Sequence, residues 1–131
     1  MDQIKEFQDQ YIEFTKITDF NLEERAKRVP AEKHFWVARL IEAKRKHQSL
    51  SKKRKSIKDS AIKQLLKNSP VDINNKKIMD GIDNSPELEN INDEIREVEF
   101  LIEYLDLLVR QVTFIAQDIK NIIEIRKLEE Q

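Results

Sequence analysis

Residues 86–129 read PELENINDEIREVEFLIEYLDLLVRQVTFIAQDIKNIIEIRKLE. Leu88, Ile91, Ile95, Val98, Ile102, Leu105, Val109, Val112, Ala116, Ile119 and Ile123 recur there at alternating steps of 3 and 4. That spacing is one apolar seam of a helix, and it runs unbroken to the C-terminal end. Ser85 is placed to cap the helix and Pro86 suits its first turn. From Phe100 onward a second stripe joins the seam: Leu101, Leu108, Ile115 and Ile122, with Phe100, Leu107 and Phe114 beside it. A helix apolar over so much of its surface is buried on more than one side. One antiparallel partner covers one stripe, and the second needs the N-terminal helices or another subunit. A chain this small buries a small share of its surface. The reading is therefore a homo-oligomer built mainly on residues 100–128, with Leu101, Leu108, Val112, Ile115, Ile119 and Ile122 as assembly residues.

The partner helix precedes this one. Trp36, Leu40, Ala43, His47, Leu50, Arg54, Ile57, Ala61 and Leu65 make a matching seam, which is coiled-coil periodicity. It predicts a long basic helix over 31–67. Pro30 disfavours the α region in the residue before it, so the spacing predicts a separate short helix from Asn21 that stops near Val29. Asn21 and Glu24 have the spacing of a capping box. Ile4, Phe7, Tyr11 and Phe14 form the narrow face of another short helix over residues 2–15. Residues 68–85 hold the only Gly, an Asn-Asn pair, an Asp-Gly pair and Pro70, and so read as a loop. The expectation is one all-α domain over 1–131: short N-terminal helices (1–30), a basic long helix (31–67), a loop (68–85) and a C-terminal assembly helix (86–131). The architecture is a long antiparallel, coiled-coil-like hairpin whose C-terminal helix forms the oligomer interface. One Gly and three Pro in 131 residues argue against strands.

Charge is split along that hairpin. From Arg39 to Lys67 there are eleven bases and two acids, net +9; from Asp80 to Asp106 there are ten acids and one base, net −9. Either the blocks neutralise each other inside the fold, or the basic one is left for a polyanion. Lys44, Ser51, Lys55 and Lys58 fall on one flank of the seam, and Arg45, Lys52, Ser56 and Lys63 on the other. Lysines on both flanks can track a phosphate backbone, with serines donating to phosphate oxygens. No aromatic residue occurs within 44–67, so the block offers no base stacking. The opposing view is structural: an antiparallel hairpin sets Lys52 to Lys63 near Glu87 to Glu99, and cross-helix pairs would fix its register.

Catalytic signatures are missing. The sequence has no nucleophile elbow, no phosphate-binding Gly loop and no metal-ligand cluster, and Cys is absent. The expectation is a non-enzymatic protein with no cofactor and no metal. His47 on the seam is expected to be hydrogen-bonded inside the fold, and His34 to be structural or an interface residue. No run of ~18 apolar residues and no signal-peptide pattern occurs, which fits a cytoplasmic protein with no membrane partner.

Three segments resemble the UvsY-type recombination mediator proteins of T4-like phages. Residues 119–129 (IKNIIEIRKLE) resemble that family's closing helix. Residues 21–30 (NLEERAKRVP), followed by Phe35 and Trp36, resemble its N-terminal part. Residues 51–56 (SKKRKS) fall where the family has its basic DNA-contacting motif. The likeness covers about residues 15 to 131. Where the family has Tyr-Tyr-x-Gly after the basic motif, this chain has neither an aromatic residue nor Gly at 59–63. The resemblance implies a ring of about six or seven identical subunits that binds single-stranded DNA. It implies, too, help in loading a phage RecA-like recombinase onto DNA coated by single-strand-binding protein, in the cytoplasm of the host cell. By the same resemblance Lys53, Arg54 and Lys55 are the DNA-contacting positions, supported by Lys52 and Lys58; the helical projection adds Lys44 and Arg45 on the flanks. Within the block, the distal end from Lys58 to Lys67 is expected to close the hairpin and the centre, Lys52 to Lys55, to face DNA. The alternative is a coiled-coil adaptor or structural oligomer with no nucleic-acid role.

Overall fold

The computed structural model describes residues 2–15, 22–68 and 76–130, and all four elements in them are helices. They are α1 (Asp2–Thr15), α2 (Leu22–Asn68), α3 (Lys76–Asp83) and α4 (Pro86–Glu129). The all-α class and the pairing of the long basic helix with the C-terminal helix are as the seams predict. The packing divides the chain into two compact units, one of Met1–Glu42 and Leu101–Gln131, the other of Ala43–Phe100.

In the second unit the end of α2 runs antiparallel to the start of α4. The pairing order gives the direction: His47 meets Glu99, Arg54 meets Asn92, and Gln64 lies beside Glu87. The seam residues Ala43, Leu50, Leu88, Ile91 and Val98 are buried between the helices. Ser85 starts α4 as expected, its carbonyl accepting from the Glu89 amide at 2.9 Å.

Within 68–85 the structure departs from the loop reading. Residues 76–83 form α3, which buries Ile82 and carries Asp83 toward α2. Ile78, Met79 and Ile82 are spaced for one helical face, a signal that the Gly and Asp around them obscured. Gly81 sits inside this helix with no positive φ, so its turn chemistry is not used.

In the first unit α1 packs on the start of α2 through aromatic rings. Phe7 and Tyr11 meet Trp36 edge-on, with ring centroids 5.6 and 6.3 Å apart. Trp36 has no exposed surface, and Val29, Leu40, Leu105, Val112 and Ile119 are buried with it. Here too the structure corrects the sequence: α2 does not stop at Val29 but runs through Pro30. Pro30 removes one backbone hydrogen bond and crowds the preceding turn, at a cost of about 3 kcal/mol. Burial on both sides of the proline offsets it. Val29 is 5% exposed, and Arg25 and Glu32, two turns apart, form a buried ion pair that spans the proline. Glu24 pairs with Arg28 at 2.6 Å, while its capping partner Asn21 lies outside the described residues.

Candidate nucleic-acid interface

The basic block lies on α2 within the second unit, and the seam decides which of its cations turn inward. Arg54 is a seam position. Its Nε donates to Asn92 Oδ1 at 2.6 Å, and its Nη2 lies 3.9 Å from Asp83. Lys58, one turn on, pairs with Asp83 at 2.9 Å. His47 contacts Glu99 at 3.1 Å, so the seam histidine has a hydrogen-bond partner as expected, but the pair lies at the edge of the hairpin, 34% and 53% exposed, and not in its core. So Arg54 and Lys58, two of the expected DNA contacts, are engaged inside the hairpin and only about a third or less exposed. The acid that holds them comes mainly from α3, which the sequence reading had as loop.

Lys44, Arg45, Lys52, Lys53 and Lys55, the other expected contacts, are all exposed, and no ion pair joins them to a described residue. Lys63 was expected to help close the hairpin. It is exposed instead, and it shares a shallow polar depression of about 370 Å³ with Lys52, Lys55, Ser56, Asp59 and Ser60. Arg45, Lys52 and Lys63 are 7 and 11 residues apart, so they fall within about 20° of one line along the helix, opposite Arg54. Lys55 stands on one side of that line and Lys53 on the other. The division of the block is thus radial, inner against outer face, and not distal against central. Lys63 was legible from this angle, since it sits nine residues, a half-integral number of turns, from Arg54.

The structure also separates the expected assembly residues. Leu101, Leu108, Val112 and Ile119 are at most 8% exposed and belong to the core of the first unit, so they are not a surface for another subunit. Ile115 is half-buried and Ile122 is 38% exposed. Burial inside the protomer has a visible cause. α1 lies against α4 here, near enough that Tyr11 and Tyr104 interact electrostatically. On α4 of this unit the apolar residues left most exposed are Leu107, Phe114, Ile125 and Leu128, at 54–69%, while Ile12 of α1 and Ile41 of α2 are exposed too. Leu107, Phe114 and Ile125 fall within about 20° of one another on α4, flanked by Ile122 and Leu128. Phe100, one heptad before Leu107, is exposed as well. An exposed apolar stripe of this kind is a candidate interaction surface.

Two tyrosine hydroxyls in the first unit titrate above their ordinary value. For Tyr11 burial is the larger cause and Glu32 the smaller; for Tyr104 burial again leads, followed by Tyr11. Phe35 meets Trp36 edge-on and takes the Arg39 guanidinium over its ring at 4.5 Å. Trp36 is therefore a core residue, not a platform for bases. No helix among the described residues is long and apolar enough to cross a membrane. Comparison of the chain with protein-family models, curated proteins and solved structures finds no match.

Proposed function

We propose that this chain is a non-enzymatic, homo-oligomeric protein that binds single-stranded DNA through the outer face of α2. One observation carries the reading. Lys44, Arg45, Lys52, Lys53, Lys55 and Lys63 stand exposed without ion pairs to described residues, and Asp59 is the one acid of α2 among them. With no aromatic residue in 44–99, recognition would run through phosphates and ignore base identity. The resemblance to UvsY-type mediators supports the more specific role: loading a phage recombinase onto DNA coated by single-strand-binding protein, in the host cytoplasm. The exposed stripe at Leu107, Phe114, Ile125 and Leu128 supports self-assembly through α4.

The test is a titration of a fluorescent oligodeoxythymidine with the full chain at about 50 and about 200 mM salt. Binding that weakens steeply with salt supports the reading. No binding at the lower salt would leave the coiled-coil adaptor as the better account. For assembly, Phe114→Lys should lower the mass seen in sedimentation while helicity is kept; an unchanged mass would rule out the stripe.

A further inference from the structure

The depression that gathers Lys52, Lys55 and Lys63 has a neighbour. Ser56, Ile57, Ser60, Ala61 and Gln64 of α2 line a second one, of about 200 Å³, together with Glu87 of α4. Both belong to the second unit, and Ser56 and Ser60 are common to the two. At about 100° per residue the order around α2 is the lysines, then the two serines, then Gln64 and Ile57, ending at the seam. The second depression holds no cation. Its one ionisable group, Glu87, is exposed and forms no ion pair with a described residue. Ile57 and Ala61 give it a half-buried apolar wall. A carboxylate this close to a phosphate-binding face opposes binding, unless it meets hydrogen-bond donors of the same ligand. In a nucleotide one sugar separates phosphate from base. Here one pair of serines separates the lysines from Gln64 and Glu87.

We propose that the second depression takes the pairing edge of an unpaired guanine whose phosphate lies on the lysines. The inference rests on the DNA reading and adds to it: the lysines alone ignore base identity, and Glu87 does not. An ionised carboxylate only accepts hydrogen bonds. Guanine sets two donors side by side on its pairing edge, N1–H and the N2 amine, and so meets a carboxylate with two parallel bonds, the strong bidentate form. Its O6 accepts from the Gln64 amide. Adenine and cytosine offer one donor, an amine, next to a ring nitrogen whose lone pair repels a carboxylate. Thymine flanks its single donor with two carbonyl oxygens. The ranking is guanine first, adenine and cytosine behind it, thymine last. A bidentate contact at an exposed site such as this favours the right base by about fivefold.

The experiment compares three oligodeoxynucleotides of one length by fluorescence anisotropy with the full chain, at about 50 mM salt. One is all thymine, one carries guanine at regular intervals among the thymines, and one has hypoxanthine in place of each guanine. Hypoxanthine keeps O6 and N1–H but lacks the N2 amine. The guanine oligonucleotide should bind about fivefold tighter than the thymine one, with hypoxanthine close to thymine. Glu87→Ala removes the acceptor and should abolish the preference with helicity kept. Losing a negative charge raises affinity for all three alike, so the ratio between them is the readout. Equal binding of guanine and thymine by the parent, hypoxanthine binding as tightly as guanine, or a preference kept by Glu87→Ala overturns the proposal and leaves the DNA reading standing. No binding of any of the three removes both.

Discussion

Removing Lys52, Lys55 and Lys63 should flatten the salt dependence of DNA binding, whereas removing Arg54 should not. The three lysines are exposed around one depression on the outer face of α2 and carry no internal partner among the described residues. Each single-strand phosphate neutralised adds about 0.7 to the slope of log affinity against log salt. The triple Ala variant should therefore bind with a slope shallower by about 2. Between about 50 and 200 mM salt, the ratio of parent to variant affinity should then narrow by about twentyfold. Arg54→Ala deletes the 2.6 Å bond to Asn92 and the contact to Asp83 at a site one-third exposed. Its cost is about 1 kcal/mol of stability, read as a melting point lower by about 4 °C, with the slope unchanged. Fluorescence anisotropy at four salt concentrations and thermal melts of both variants decide the matter. An unchanged slope in the triple variant, or a slope in Arg54→Ala as shallow as the triple's, would refute the division into inner and outer cations.

Three further outcomes test the frame around this face. A Cβ at Gly81 meets nothing within 4 Å and the backbone there is helical, so Gly81→Ala should raise stability by about 0.5–1 kcal/mol in chemical denaturation; a loss would mean that α3 does not form. Arg25→Met strands Glu32 in the core and should cost about 3–5 kcal/mol, whereas Arg25→Met with Glu32→Leu should restore most of that, since two apolar side chains need no pairing. The double variant melting as low as the single would show that the pair does more than satisfy itself. Tyr11 and Tyr104 have folded pKa values above their ordinary 10.0. The unfolded chain then loses these protons first. Their contribution is intact below about pH 10 and is lost as pH rises through the folded values. Tyr11→Phe/Tyr104→Phe should melt at higher temperature than the parent above that pH and lose no advantage below it, and a parallel decline in both proteins would remove the tyrosines from the account.

The helices were legible because a seam of 3,4 steps survives any reasonable choice of hydrophobicity. The start of α4 followed directly, since Ser85 and Pro86 carry capping chemistry that acts within one turn. Pro30 and Gly81 were misread for a shared reason. Each was weighed by its local preference, worth about 1–3 kcal/mol, and each was overridden by burial that only the fold reveals. Val29, Arg25 and Glu32 hold α2 through its proline; Ile82 holds α3 around its glycine. The same limit applied to the site. Periodicity could say that Arg54 lies on the seam, but its partner Asp83 was hidden in a segment read as loop. The assembly residues went astray because a second apolar stripe does not say what covers it. α1 covers the inner part, and the stripe through Leu107 and Phe114 is what remains.

The two units depend on different forces, and this bears on how DNA would act. The first unit is held by rings around Trp36 and a long row of buried aliphatics. Among the described residues the second buries only Ala43, Leu50, Ile82, Leu88, Ile91 and Val98 of its apolar side chains, and supplements them with ion pairs that are partly exposed. Such pairs contribute little in water and less in salt. Eight cations along residues 44–67 form no ion pair with a described residue and add a mutual repulsion that Asp59 only partly offsets. The second unit is therefore the place where opening costs least. A ligand that binds only the folded form stabilises it in proportion to its saturation, by about 2.7 kcal/mol at a hundred times the dissociation constant. Single-stranded DNA, by neutralising the outer face of α2, should slow amide exchange across residues 43–68 and 86–100 by up to about a hundredfold, with little change at the residues packed around Trp36. Protection rising equally in both units would mean that DNA acts through global stability or assembly, and protection confined to α4 beyond residue 101 would place the contact on the apolar stripe instead.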